Sequence, residues 1–150
     1  MSDSLRGTLE TILVVDDEPM IVDVVARILE SANFLVLKAR SGKEAQKIAA
    51  EHSGEIALLL SDVRMPEISG PDLGELLKKT RPKMHVMFMS GYPGGELLVL
   101  NYGWAFIAKP FLGGKLVEMV NVVLHSPDRS QASDQFDTRK EPGRGLTGKE

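Results

Sequence analysis

The 150-residue chain is long enough for one domain with a real core, and its 43% hydrophobic and 26% charged residues are ordinary for a soluble globular protein. The net charge of −3 gives no reason to expect nucleic acid or an anionic membrane as partner, and the absence of cysteine excludes disulfides, thiol catalysis and thiolate metal sites. The opening MSDSLRGTLETI lacks the basic start and apolar run of a signal peptide, and no apolar stretch nears the roughly 18–20 residues that span a bilayer, so a cytoplasmic protein is expected.

After a flexible N-terminus over residues 1–10, the first short apolar run is Ile12–Val15. Ile21, Val24, Val25, Ile28 and Leu29 then recur at helical spacing and predict one apolar stripe. Phe34–Leu37 is the second run, and Ser41-Gly42-Lys43-Glu44 reads as a capping box opening a helix with Ala45, Ile48 and Ala49 inward. Ile56–Leu60 is the third run. Leu73, Leu76 and Leu77 follow Ser69-Gly70-Pro71, with proline near the first helical position. Val86–Met89 and Trp104–Ala108 are the fourth and fifth runs. The segment between them, Pro93–Tyr102, opens Pro-Gly-Gly and predicts a short or displaced helix. Leu116, Met119, Val120, Val123 and Leu124 form the last stripe. From Ser126 to Glu150 the chain turns polar and nearly free of aliphatics, which predicts a disordered tail.

Short apolar runs without polar alternation are how strands covered on both faces read. Their alternation with helical segments predicts an α/β fold, a parallel sheet with helices on both faces and right-handed crossovers. Ligands of such folds sit at the carboxyl ends of the strands. There the first run ends in Asp16-Asp17-Glu18, the third in Ser61-Asp62, the fourth in Met89-Ser90-Gly91 and the fifth in Lys109-Pro110. Three carboxylates in one crevice repel, by about 4 kcal/mol for two unit charges roughly 4 Å apart at an effective dielectric near 20. A hard divalent cation removes that cost, and all-oxygen ligation points to Mg²⁺ or Mn²⁺. Mg²⁺ partners phosphate, and a carboxylate can itself be a nucleophile, so the set suits phosphoryl chemistry through an aspartyl phosphate.

The stretches ILVVDDE (12–18), LLLSDVRMPEISG (58–70), FMSGY (88–92) and AKPF (108–111) resemble, in order, response-regulator receiver domains over roughly Thr11–Leu124. The resemblance implies a doubly wound, five-stranded parallel sheet of flavodoxin-like order 2-1-3-4-5, with a receiver domain over residues 11–125. It implies that Asp62 is the phosphoacceptor, that Asp17 binds Mg²⁺ directly and Asp16 through water, and that the Arg64 backbone carbonyl completes the protein ligands with Asp62. Ser90 would hydrogen-bond one phosphoryl oxygen and Lys109 pair with another, across a cis Lys109-Pro110 bond. Phe106 takes the aromatic switch position, where the ring follows the Ser90 hydroxyl inward on phosphorylation. Arg64 and Tyr92, two places beyond Asp62 and Ser90, hold positions that tune the lifetime of the acyl phosphate. One departure is the span from Ser90 to Lys109, shorter than in the family by a few residues within Pro93–Tyr102, part of the usual output face.

Other residues read more plainly. Pro66 and Gly70 are loop geometry, and Glu18 is a cap or outer group. His52, His85 and His125 have no metal spacing and are structural or surface residues. Met84, Met87 and Met89 are core and turn filler, and Tyr102 and Trp104 belong to packing or the output face. The function implied is a phosphoryl switch, supplied by a histidine kinase or histidine phosphotransfer protein and read by an output partner. The protein would be a monomer or a weak phosphorylation-dependent dimer. The residues after Leu124 are too few for a DNA-binding or catalytic output domain, which points to a stand-alone receiver, a relay intermediate or a fragment of a larger protein; the likeness of FMSGY and SDVRMP to receivers of hybrid kinases favours relay. The alternatives are a phosphate-independent interaction module of the same shape and a Mg²⁺-dependent phosphohydrolase, for which no substrate cap or general acid is evident.

Overall fold

The computed structural model describes residues 9–91 and 103–125. The expectations for Tyr92, Pro93–Tyr102 and Ser126–Glu150 lie outside these, as do those for residues 1–8. The elements run β1 (Thr11–Val15), α1 (Pro19–Ser31), β2 (Leu35–Ala39), α2 (Gly42–Glu51), β3 (Leu58–Asp62), α3 (Gly70–Lys78), β4 (His85–Ser90), β5 (Ala105–Ala108) and α4 (Gly113–His125). All strand pairs are parallel, in the order β2-β1-β3-β4-β5.

The two-residue period of a strand divides the core in two. Ile12, Val14, Leu58, Leu60, Met87, Met89 and Ile107 face α1 and α4, meeting Val22, Val25, Leu29, Leu116, Met119, Val120 and Val123. Leu13, Val15, Leu59, Val86 and Phe88 face α2 and α3, meeting Ala45, Ala49, Leu73 and Leu77. β1 and β3 are buried along their whole length, whereas β2, at an edge, exposes Leu35 and Lys38. The expected helices on both faces are therefore present.

Three local readings shift. Val24 is 46% exposed and Val22 takes its place in the core, with Ile21 and Ile28 only partly buried. The inward face of α1 is centred on Val22, Val25, Ala26 and Leu29, and Ile28 lies on the flank where Gly113 of α4 packs. The Ser41 hydroxyl accepts from the Glu44 N–H at 3.0 Å, but the returning Glu44 carboxylate takes the Arg40 N–H at 2.7 Å, one residue before the cap. The third strand begins at Leu58, two residues into the apolar run that opens at Ile56, and ends at Ser61-Asp62 as expected. Ser69 caps α3 through the Asp72 N–H at 3.1 Å, with Pro71 in the first turn as anticipated. Glu10, the last residue of the segment expected to be flexible, accepts the Leu35 N–H through its carbonyl at 2.9 Å and meets His125 Nε2 through its carboxylate at 2.7 Å. Among the described residues no helix is long and apolar enough to cross a membrane.

Candidate phosphoacceptor site

Strand register sets the site. β1 and β3 lie side by side, so the turn after Val15 and the end of β3 meet at one rim. There Asp16, Asp17 and Asp62 each offer a carboxylate oxygen, all within 4.8 Å of one another. Ser90 is paired in register with Ala108, and the Lys109 N–H donates to the Ser90 carbonyl at 2.8 Å, which carries Lys109 to the same rim. The Lys109 ammonium donates to Asp16 Oδ2 at 2.7 Å and stands 3.6 Å from Asp62 Oδ2. The Lys109-Pro110 bond is cis.

Asp16 is wholly buried, and its Oδ1 accepts the Glu18 N–H at 2.9 Å, so each of its oxygens has a partner. Glu18 caps α1 by position, without a side-chain bond to the helix. Asp17 is exposed. Asp62 is 9% exposed, and its carboxyl is pushed up to about 6, first by burial and then by the charge of Asp16, against the opposing pull of Lys109 and the Val63 N–H. Burial alone would lower the Lys109 pKa, but its hydrogen bond to Asp16 and the charges of Asp16, Asp62 and Glu18 together raise it. Asp62 is thus a carboxylate whose charge is held at a cost, the condition that a bound cation would relieve. The donor set is all oxygen and acidic, which fits a hard divalent ion.

Of the residues singled out in the sequence, Asp16, Asp17, Asp62 and Lys109 converge, and Ser90, 3% exposed, ends its strand beside them. Arg64 is exposed on the loop after β3, and Phe106 is partly buried against the α2–α3 side of the core. Two contributions were not read from the sequence. The Ser61 hydroxyl donates to the Asp62 carbonyl at 2.8 Å, fixing the backbone of Asp62, and nothing in the sequence separates it from any other strand serine. Gly70 is also more than loop geometry. A methyl there would collide with the same carbonyl and come within 3.0 Å of the Phe88 ring, so only glycine allows α3 to approach. A glycine just after the cap serine is the signal that was available.

The family model for the response regulator receiver domain matches residues 12–121. The chain belongs to the response regulator receiver domain family. It is 36% identical over 121 residues to the sensor kinase CckA of Brucella abortus, a match that takes in 79% of this chain and 13% of that kinase. Among solved structures, the receiver domain of the hybrid histidine kinase CckA superposes with a TM-score of 0.66 at 39% identity, covering 77% of this chain and 99% of that one. A receiver domain protein from Clostridium thermocellum gives a TM-score of 0.66 at 28% identity, covering 89% and 98%. Sheet order and helix placement are those of CheY-like receivers of flavodoxin-like fold. Receiver domains act in two-component signalling as phosphoacceptors and bind Mg²⁺ through an acidic cluster of this kind.

Proposed function

We propose that Asp62 accepts a phosphoryl group from the phosphohistidine of a histidine kinase or histidine phosphotransfer protein, with Mg²⁺, or in its place Mn²⁺, bound beside it. The observation that carries this reading is the convergence of three aspartate oxygens within 4.8 Å next to the Lys109 ammonium. An Asp62 oxygen attacks phosphorus, the phosphorus–nitrogen bond of the donor breaks, and the departing imidazole nitrogen keeps the electron pair and takes up a proton. Asp17 and Asp62 would hold the cation directly and Asp16 through water, with the Arg64 carbonyl completing the protein ligands. When bound, the cation neutralises charge on the oxygens of the transferred group. Lys109 exchanges its contact with Asp62 for a phosphoryl oxygen, and the Ser90 hydroxyl donates to another. Phe106 follows Ser90 inward and alters the output face, while Arg64 and Tyr92 set the lifetime of the acyl phosphate.

The receiver domain spans residues 11–125, and its chemistry is confined to its own phosphorylation and dephosphorylation. Met20, 75% exposed, and Leu112, 79% exposed, stand three residues beyond Asp17 and Lys109 and offer apolar ground beside the crevice for a donor protein. Kinship with the receiver of a hybrid histidine kinase supports a place in a phosphorelay. The setting is cytoplasmic, and the protein acts as a monomer or a weak phosphorylation-dependent dimer.

Intact mass after incubation with acetyl phosphate or phosphoramidate tests the reading. A gain of one phosphoryl group is expected with Mg²⁺, and none with EDTA or in Asp62→Asn. No adduct, together with no binding of beryllofluoride, would replace the switch with a phosphate-independent interaction module.

A further inference from the structure

Beneath the crevice, on the α2–α3 side of the sheet, three aromatic rings share one layer: Phe88, Trp104 and Phe106. Phe88 is wholly buried and stands on the same face of β4 as Ser90, two residues on. Its ring centroid lies 5.6 Å from that of Trp104, with the planes tilted by 38°. The far edge of the Trp104 indole rests on α3, where a methyl added at Gly74 would come within 3.1 and 3.3 Å of two ring carbons. One turn earlier on α3, Gly70 brings the helix against both the Phe88 ring and the Asp62 carbonyl. Gly70 and Gly74 thus leave room for an unbroken packed path from the phosphoacceptor backbone through Phe88 and Trp104 back to α3.

Close-packed interiors transmit displacement, because side chains that fill all available space cannot yield independently. An indole wedged between Phe88 and Gly74 fixes how far α3 stands from the sheet, and with it how Gly70 bears on the Asp62 carbonyl. We propose that Trp104 is a positioning residue for Asp62, which couples the packing of α3 to the affinity of the crevice for a phosphoryl group. The coupling is reciprocal, so loading the crevice also changes the surroundings of Trp104. This rests on the phosphoacceptor reading above.

Beryllofluoride with Mg²⁺ serves as the phosphoryl probe, its binding followed by fluorine NMR on the full chain. Trp104→Leu removes the wedge and Gly74→Ala displaces it, and each is expected to weaken binding by about threefold to tenfold, the scale of one aromatic contact. Trp104→Phe keeps a ring on Phe88 and is expected to recover most of the loss, while Gly74→Ala covers the case in which the leucine variant does not fold. Trp104 is the only tryptophan, so its emission is expected to change as wild type binds the probe. Affinity within twofold of wild type in Gly74→Ala, with Trp104→Leu no weaker where it folds, overturns the proposal. So does unchanged emission in a wild-type protein shown by NMR to hold the probe. If wild type binds no beryllofluoride at all, the phosphoacceptor reading itself falls, a result the NMR arm identifies before any variant is compared.

Discussion

Asp62 concentrates the electrostatic conflict of the molecule. Its carboxyl, raised from 3.8 to about 6 by burial and by Asp16, keeps in the folded protein a proton that the unfolded chain gives up at lower pH. Such a group favours the folded state fully below its unfolded pKa, and that contribution is lost as pH rises through the folded value, here between about 4 and 6. Replacing the charge by an amide in metal-free protein should therefore stabilise it only above that window. In EDTA at pH 8, Asp62→Asn is expected to unfold at higher urea than wild type by about 2–3 kcal/mol, and to lose that advantage by pH 4. Equal stability at pH 8 would show that Lys109 already compensates Asp62 in full. The carboxylates were legible in the sequence because acids rarely end apolar strands without a reason. The part of Ser61 was not, because a hydroxyl bonded to the next residue's carbonyl leaves no pattern.

At the scale of elements, α2 ends in a long-range contact. The last carbonyls of a helix lack partners within it. The Arg81 guanidinium supplies them from beyond α3, donating to the carbonyls of Ala49 at 2.9 Å and His52 at 2.8 Å, and to that of Gly54 at 2.9 Å. A cation there also complements the helix dipole. Arg81→Ala should cost about 2–3 kcal/mol in urea unfolding, the value of charge-assisted hydrogen bonds, and leave the rate of Asp62 phosphorylation unchanged. A loss below about 0.5 kcal/mol would mean that water replaces the guanidinium without penalty. The interior strands could be read in advance because both their faces are buried, which makes them continuous apolar runs. Their ends could not, since the run before β3 starts at Ile56 while pairing starts at Leu58. The misplaced Val24 has a similar cause: five apolar residues on α1 satisfy a helical period, and only the neighbour, α4, decides which flank is covered.

For the whole molecule, folding and cation binding at the proposed site would be one equilibrium. The unfolded chain does not hold Asp16, Asp17 and Asp62 together, so a divalent ion held among them, directly or through water, would stabilise the fold by mass action. Millimolar Mg²⁺ should raise the melting temperature of wild type, and EDTA should reverse the gain. Lys109 occupies the same anionic ground, so Lys109→Gln should melt lower in EDTA, where buried Asp16 loses its counter-ion, yet gain more from Mg²⁺ than wild type does. A smaller gain in the variant would show that Lys109 assists the cation instead of competing with it. The composition of the crevice was legible because four strand ends deliver it from four short motifs. The aromatic layer was not, because Trp104, Phe88 and Gly74 meet only once the sheet order is fixed.

The bond between Glu10 and His125 joins the residue that leads into β1 to the residue that ends α4, at the pole of the sheet away from the crevice. The fold therefore receives its backbone and gives it back at a single doorway. A unit closed in this way can be threaded into a longer polypeptide as a side loop, its entry and its exit both set opposite the crevice.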